Sequence, residues 1–220
     1  MNNHTGLRIG EATVTKIPEL TLRGFAPGTL FPDLDRTLLS HRPDLDSPGL
    51  FDPETGNVIL SVHTWLVRTP RHSILIDTGC GNDKSRPSMP MLNHLHEPYL
   101  DRLAVAGVEP EAINYVLITH LHADHVGWNT RWLEERWIPA FPHATYIFSA
   151  LEQKCCAGLT TGDGRAQAAR SEPNLGMSVR IPVPGVYPDG VAPIVGAGLA
   201  KLIKIEGSEF VDGLSFHPTP

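Results

Sequence analysis

Thr119-His120-Leu121-His122-Ala123-Asp124-His125-Val126-Gly127 places four candidate metal ligands, His120, His122, Asp124 and His125, within six residues. Neutral imidazole nitrogens and a carboxylate oxygen suit zinc or another divalent first-row ion. The preceding run, Tyr115-Val116-Leu117-Ile118-Thr119, is apolar and β-branched and reads as a buried strand. The ligands therefore start at a strand's end and continue into a loop that opens a helix near Gly127 or Trp128. In extended backbone, side chains at i and i+2 point the same way, so His120 and His122 can hold one ion. As the chain turns, Asp124 and His125 can aim at a second. Histidine is common here, with 11 in 220 residues, but a cluster this tight at a strand end reads as a metal site rather than a solvated patch.

Working outward, residues 7–17 alternate apolar and polar side chains and predict an opening strand or hairpin arm. Strands are expected at 62–68 and 73–77, joined by a hairpin turn at Thr69-Pro70-Arg71. A helix over 95–106 would end at Gly107 with a left-handed cap. A Trp-rich segment follows the motif, with Trp128, Trp132 and Trp137, and then a strand at 144–148 and a helix after Ser149. The indoles are read as core, with some lining a pocket as the alternative. A helix over 187–200 and strands at 201–205 and 210–217 complete the pattern. Residues 24–56 and 171–188 are rich in Pro, Gly or Asp and read as irregular connections.

Composition fits a globular chain whose 41% hydrophobic content can fill a core. The net charge of -6 and pI near 6.0 speak against binding nucleic acid through its phosphates. No apolar run reaches membrane-spanning length. Met1-Asn2-Asn3-His4-Thr5 has neither the basic nor the apolar region of a secretion signal, and the three cysteines, Cys80, Cys155 and Cys156, suit reduced thiols. A cytoplasmic location is the resulting expectation.

His120-Leu121-His122-Ala123-Asp124-His125 resembles the signature of the metallo-β-lactamase superfamily, and Ile74-Leu75-Ile76-Asp77-Thr78-Gly79 resembles the strand and turn that precede it there. Residues 62–68, 141–149 and the closing His217-Pro218-Thr219-Pro220 are similar to the branch of lactonases and organophosphate hydrolases related to methyl parathion hydrolase. The resemblance implies an α/β (α+β) fold, a four-layer αββα sandwich with a binuclear zinc site at one edge. His120 and His122 would bind the first ion and Asp124 and His125 the second. Asp124 would also orient the attacking hydroxide and take its proton, in hydrolysis of a lactone, ester or phosphotriester. Asp77 would sit beneath the site as a support; an ordinary turn-forming Asp is the equal alternative.

Relatives continue after a Pro-Thr-Pro with a further His, an Asp bridging both ions and a last His, none of which lies within these 220 residues. The expectation is one domain over 1–220 with the second half of the sandwich incomplete and two protein ligands per ion, where catalytic zinc normally has three. Inactivity, or completion by another polypeptide, is thus the principal alternative to a working hydrolase; a mononuclear iron dioxygenase of the same fold is a lesser one. The partner expected is a small-molecule substrate; the 24–56 region resembles a loop that in relatives helps dimerise or covers the pocket, which would add a second copy of the chain, with a surface loop packed on the sandwich as the equal alternative.

Four other features imitate ligands. His94 and His96 are expected at a helix start, facing different directions. Thr161-Gly162-Asp163-Gly164 reads as a turn, His217 as an ordinary strand position, and Cys80 as a small buried residue.

Overall fold

The computed structural model describes residues 6–33, 49–159, 183–204 and 209–217. The turn expected at Thr161-Gly162-Asp163-Gly164, positions 34–48 and 171–182 of the two irregular connections, and Pro218-Thr219-Pro220 lie outside the described residues.

In chain order the elements are β1 (Leu7–Ile9), β2 (Ala12–Phe25), a short α1 (Pro27–Leu30), β3 (Val58–Arg68), β4 (Ser73–Ile76), α2 (Tyr99–Val105), β5 (Tyr115–Leu117), β6 (Thr130–Leu133), β7 (Arg136–Pro139), β8 (Thr145–Ser149), α3 (Ala150–Gly158), a π-helical turn (Tyr187–Val191), α4 (Ala192–Gly196), β9 (Ala200–Ile203), β10 (Glu209–Val211) and β11 (Leu214–Ser215). Seven strands form one mixed sheet in the order β1-β2-β3-β4-β5-β8-β9. The first four pair antiparallel as successive hairpins, and β4, β5, β8 and β9 run parallel.

The continuous apolar runs at the sheet's centre are explained by burial on both faces. Successive side chains alternate. Leu66, Leu75, Val116, Tyr146 and Phe148 join a large core with Tyr99 and Leu103 of α2, Cys156 of α3 and Ile194 of α4. Val67, Ile74, Leu117 and Ile147 face the other way and pack with Phe210, Val211 and Leu214 of the β10–β11 hairpin. This is the mixed α/β order of helix, sheet and sheet that the motif implies. Among the described residues, β10–β11 alone represents the second sheet. That hairpin is pinned by Asp212, whose carboxylate accepts from Thr69 Oγ1 at 2.6 Å, from His72 Nδ1 at 2.7 Å and from Arg71.

Three expectations change. The 95–106 helix starts only at Tyr99, because Pro98 disfavours helical backbone at Glu97; Gly107 does end it, at φ +82°. The 210–217 strand is a hairpin, because Asp212 and Gly213, at φ +50° and +82°, make a tight turn between β10 and β11. The 24–56 stretch is not wholly irregular: β2 runs to Phe25 and α1 follows it. Among the described residues no helix is long and apolar enough to cross a membrane.

Candidate metal centre

The carboxyl ends of β4 and β5 lie side by side, since Ile76 pairs with Leu117 in parallel register. Asp77 leaves β4 with φ +55°, its N–H donating to Leu117 O at 2.9 Å. Its carboxylate then accepts from Thr119 N and Thr119 Oγ1, both at 2.8 Å. The far end of the motif loop is closed by Thr78 N donating to His125 O at 2.7 Å and Gly127 N to Gly79 O at 2.7 Å. Two glycines are required there. A Cβ on Gly127 would stand 1.8 Å from the Cys80 carbonyl carbon, and one on Gly81 2.5 Å from Gly127 O. Beneath this crossing the buried Glu19 accepts from Cys80 N at 2.6 Å, Gly81 N at 2.9 Å and Trp128 Nε1 at 2.7 Å.

So held, the four motif side chains come together as two pairs. His120 Nε2 and His122 Nδ1 face each other at 3.1 Å. His125 Nε2 and Asp124 Oδ2 stand 3.4 Å apart. Two donors on one tetrahedral zinc, with bonds of about 2.0–2.1 Å, are separated by roughly 3.3 Å, so each pair already has the spacing of ligands to a common ion. Ring orientation supports the same division. His125 Nδ1 is 2.8 Å from Asp77 Oδ2, which commits that nitrogen to donating and turns Nε2 toward Asp124. Thr119 Oγ1 donates to Asp77 and stands 3.1 Å from His120 Nδ1, which leaves Nε2 of His120 with the lone pair. Asp77 thereby orients both imidazoles, one directly and one through Thr119. Among the described residues, no group of three or more His, Cys, Asp or Glu side chains is gathered as one ion would need.

Burial opposes charge on His125, but the hydrogen bonds to Asp124 and Asp77 outweigh it and raise its pKa to about 10. Burial, with His125 and His122 nearby, lowers that of His120. Asp124 is opposed by burial too, yet contact with His125 keeps its carboxyl below the ordinary value. An ion captured at His125 Nε2 must displace a proton, the usual coupling at imidazole ligands.

Residues 58–154 match the model of the metallo-beta-lactamase superfamily. "Probable metallo-hydrolase YybB" of Bacillus subtilis (strain 168) is 33% identical over 87 residues, 38% of this chain and 31% of its own length. The crystal structure of "hydrolase AbOPH in beta lactamase superfamily" superposes with a TM-score of 0.64 at 24% identity, over 94% of this chain and 62% of that one. AidC, described as a dizinc quorum-quenching lactonase, superposes with a TM-score of 0.56 at 16% identity, over 94% and 63%. Over residues 58–154 the chain is similar to the metallo-β-lactamase superfamily, and its fold is the one that these two structures share. It spans less than two thirds of the length of each of these three proteins.

The motif side chains border two cavities, and the His120–His122 pair is split between them. His122 and Asp124 line a pocket of about 360 Å³ whose other walls include Phe25, Leu30, Met89, Met91 and Val183. His120 and Thr119 line a cleft of about 740 Å³ between α3 and the β10–β11 hairpin, with His217 at its rim. His217 is exposed beyond β11, bonded to Ser215 Oγ at 2.9 Å. His94 and His96 lie in a loop before α2 rather than in it; His94 has φ +50° and the exposed His96 faces Asp83. Cys80 is buried in the core, as is Trp128, which stacks on Tyr99 at 5.0 Å. Trp132 and Trp137 meet across the β6–β7 hairpin instead of lining either cavity.

Two features, one half-buried and one buried, escape a reading of local sequence. His63 on β3 feels the charges of Asp77 and His125 and bonds Ser61 O through Nδ1 at 2.9 Å; the alternation of His63 with Trp65 was its only signal. The second is a polar cluster joining the 84–93 loop to the π-helical turn. Arg86 donates twice to Asp189, at 2.6 and 2.7 Å. Lys84 Nζ donates to Thr130 Oγ1 at 2.5 Å and Asp189 O at 2.9 Å, and lies 3.6 Å from the Trp137 ring centre.

Proposed function

We propose that this chain is a metal-dependent hydrolase of an uncharged ester, lactone or phosphotriester, using two zinc or similar ions. The observation that carries the reading is the division of the motif into two donor pairs, at 3.1 and 3.4 Å, with Asp77 fixing the outward nitrogen of His125. His120 and His122 would hold one ion, and Asp124 and His125 the other. When bound, such ions lower the pKa of water and polarise a carbonyl or phosphoryl oxygen.

The protein's own groups supply the rest. Asp124 ligates through one oxygen and accepts a proton on its carboxylate. Leu22, Phe25, Leu30, Met89 and Met91 line the pocket beside it, excluding water and accepting the apolar part of a small neutral substrate. The Thr119 hydroxyl and the Asp77 carboxylate keep His120 and His125 in register for the ions.

A second reading rests on the absence, among the described residues, of any trio of donors: the 220-residue polypeptide then holds ions weakly and hydrolyses poorly until further donors are supplied. Assay with an aryl ester, a lactone and a phosphotriester after zinc loading separates the two. Zinc-dependent turnover that a chelator abolishes and Asp124→Ala removes supports the hydrolase. No turnover with less than one ion per chain supports the second reading, and one iron with oxygen uptake points to a dioxygenase.

A further inference from the structure

We propose that Glu152, at the start of α3, is a positioning residue that sets the angle between His120 and His122; this rests on the metal-centre reading above. Helix α3 opens at Ser149, whose Oγ accepts from Leu151 N at 3.2 Å and Glu152 N at 3.3 Å. Ser149-Ala150-Leu151-Glu152 has the form of a capping box, in which the Glu at the third helical position turns back to the backbone N–H of the cap. Here the carboxylate instead accepts from Leu121 N at 3.1 Å, an element of a different strand–loop unit.

Leu121 is the residue between the two paired histidines. Its side chain is fully buried in the core, so its amide is an internal donor that needs a partner. The peptide carrying that amide joins His120 to Leu121, so the bond to Glu152 fixes the direction of His120 relative to His122. The loop is thus held at three points. Asp77 grips Thr119 at its start, Glu152 grips Leu121 in the middle, and Thr78 grips His125 O at its end. Because β8 lies beside β5 in parallel register and α3 follows β8 directly, the topology brings the helix's first turn to the donor loop. His120 and Glu152 also line the same cleft.

The test compares Glu152→Ala with Glu152→Gln in the full chain. Gln retains an acceptor oxygen and Ala does not. Zinc affinity by competition with a chromophoric chelator should fall about 10-fold or more in Glu152→Ala and return to within about 3-fold of the parent in Glu152→Gln. With cobalt(II) as the probe, the visible band of the Gln protein should match the parent and that of the Ala protein should shift. Equal affinity and equal spectra in all three would overturn the inference, as would a Gln variant as impaired as Ala. Failure of the parent itself to bind zinc would overturn the metal-centre reading instead. In that event hydrogen exchange still decides the contact: the Leu121 amide should lose protection in Glu152→Ala and keep it in Glu152→Gln, and unchanged protection in Glu152→Ala would refute the bond's role.

Discussion

Two clusters of charged side chains sit within one fold and behave oppositely. In the Lys84–Arg86–Asp189 cluster, donors meet acceptors: the guanidinium is paired bidentately with the carboxylate and the ammonium rests on a hydroxyl, a carbonyl and an indole face. In the motif cluster, ring nitrogens face each other or a carboxylate at ligand spacing, and protons on the His125 ring join it to Asp124 and Asp77. The first pairs charge with charge, leaving only Arg86 Nε without an acceptor within the cluster, and acts as a rivet between the 84–93 loop and the 187–191 turn. The second is held by protons that a bound cation would displace. Burial alone therefore does not mark function; Lys84 and Arg86 are 0% and 1% exposed, while Asp124 keeps 42% of its side chain accessible.

Asp189→Ala should break the comparison most violently on the rivet side. Removing one partner of a buried pair leaves the Arg86 guanidinium uncompensated, and unfolding by urea should show a loss of about 3–5 kcal/mol; a loss under about 1 kcal/mol would mean that the cluster is not a rivet. At the motif the opposite pattern is expected. Asp124→Ala should lower zinc-dependent kcat/KM by about 100-fold or more while the thermal midpoint of the zinc-free protein stays close to the parent's. Retained turnover would remove Asp124 from its assigned place. Asp77→Asn sharpens the same contrast, since Asn presents an amide N–H where His125 needs an acceptor. Zinc affinity should fall about 10-fold, read by chelator competition, and an unchanged value would return Asp77 to the role of a turn residue.

A further effect is one of pH. Burial lowers the pKa of Lys84 to about 7, against the partial support of Asp189. The unfolded chain, with a lysine pKa near ~10.4, then binds more protons than the folded one between about pH 7 and 10, so stability should rise with pH across that window. Lys84→Met should flatten that rise; an equal slope in the two proteins would contradict the assignment. The motif gives no comparable handle on folding, because its protons compete with an ion.

This difference between clusters also explains what could be read beforehand. The strands at 73–77, 115–119 and 144–148 were legible because residues buried on both faces form short apolar runs, and the motif was legible because its ligands are neighbours in sequence. Asp189 and Arg86 are 103 positions apart, so nothing local announces their pairing. The β6–β7 hairpin was missed for a different reason. Its turn places Glu134 and Glu135 at φ +48° and +60°, where Gly or Asn is the usual signal. Glu152 carried a signal, but a misleading one: its capping-box spacing predicts a bond within α3, and tertiary structure redirects it to Leu121. The approach of His120 to His122 could be anticipated from i, i+2 geometry, whereas Asp77's reach to two imidazoles depended on the parallel register of β4 and β5.

The central claim, that the motif is a set of ligands awaiting a cation rather than a closed polar cluster, is tested most directly by metal content and thermal stability measured together. The chain, loaded with zinc and dialysed, should retain up to two ions per polypeptide and unfold at a higher temperature than its chelator-treated form, and both properties should fall in His120→Ala and Asp124→Ala. Less than one ion per chain, with the same thermal midpoint in zinc and in chelator, would contradict it.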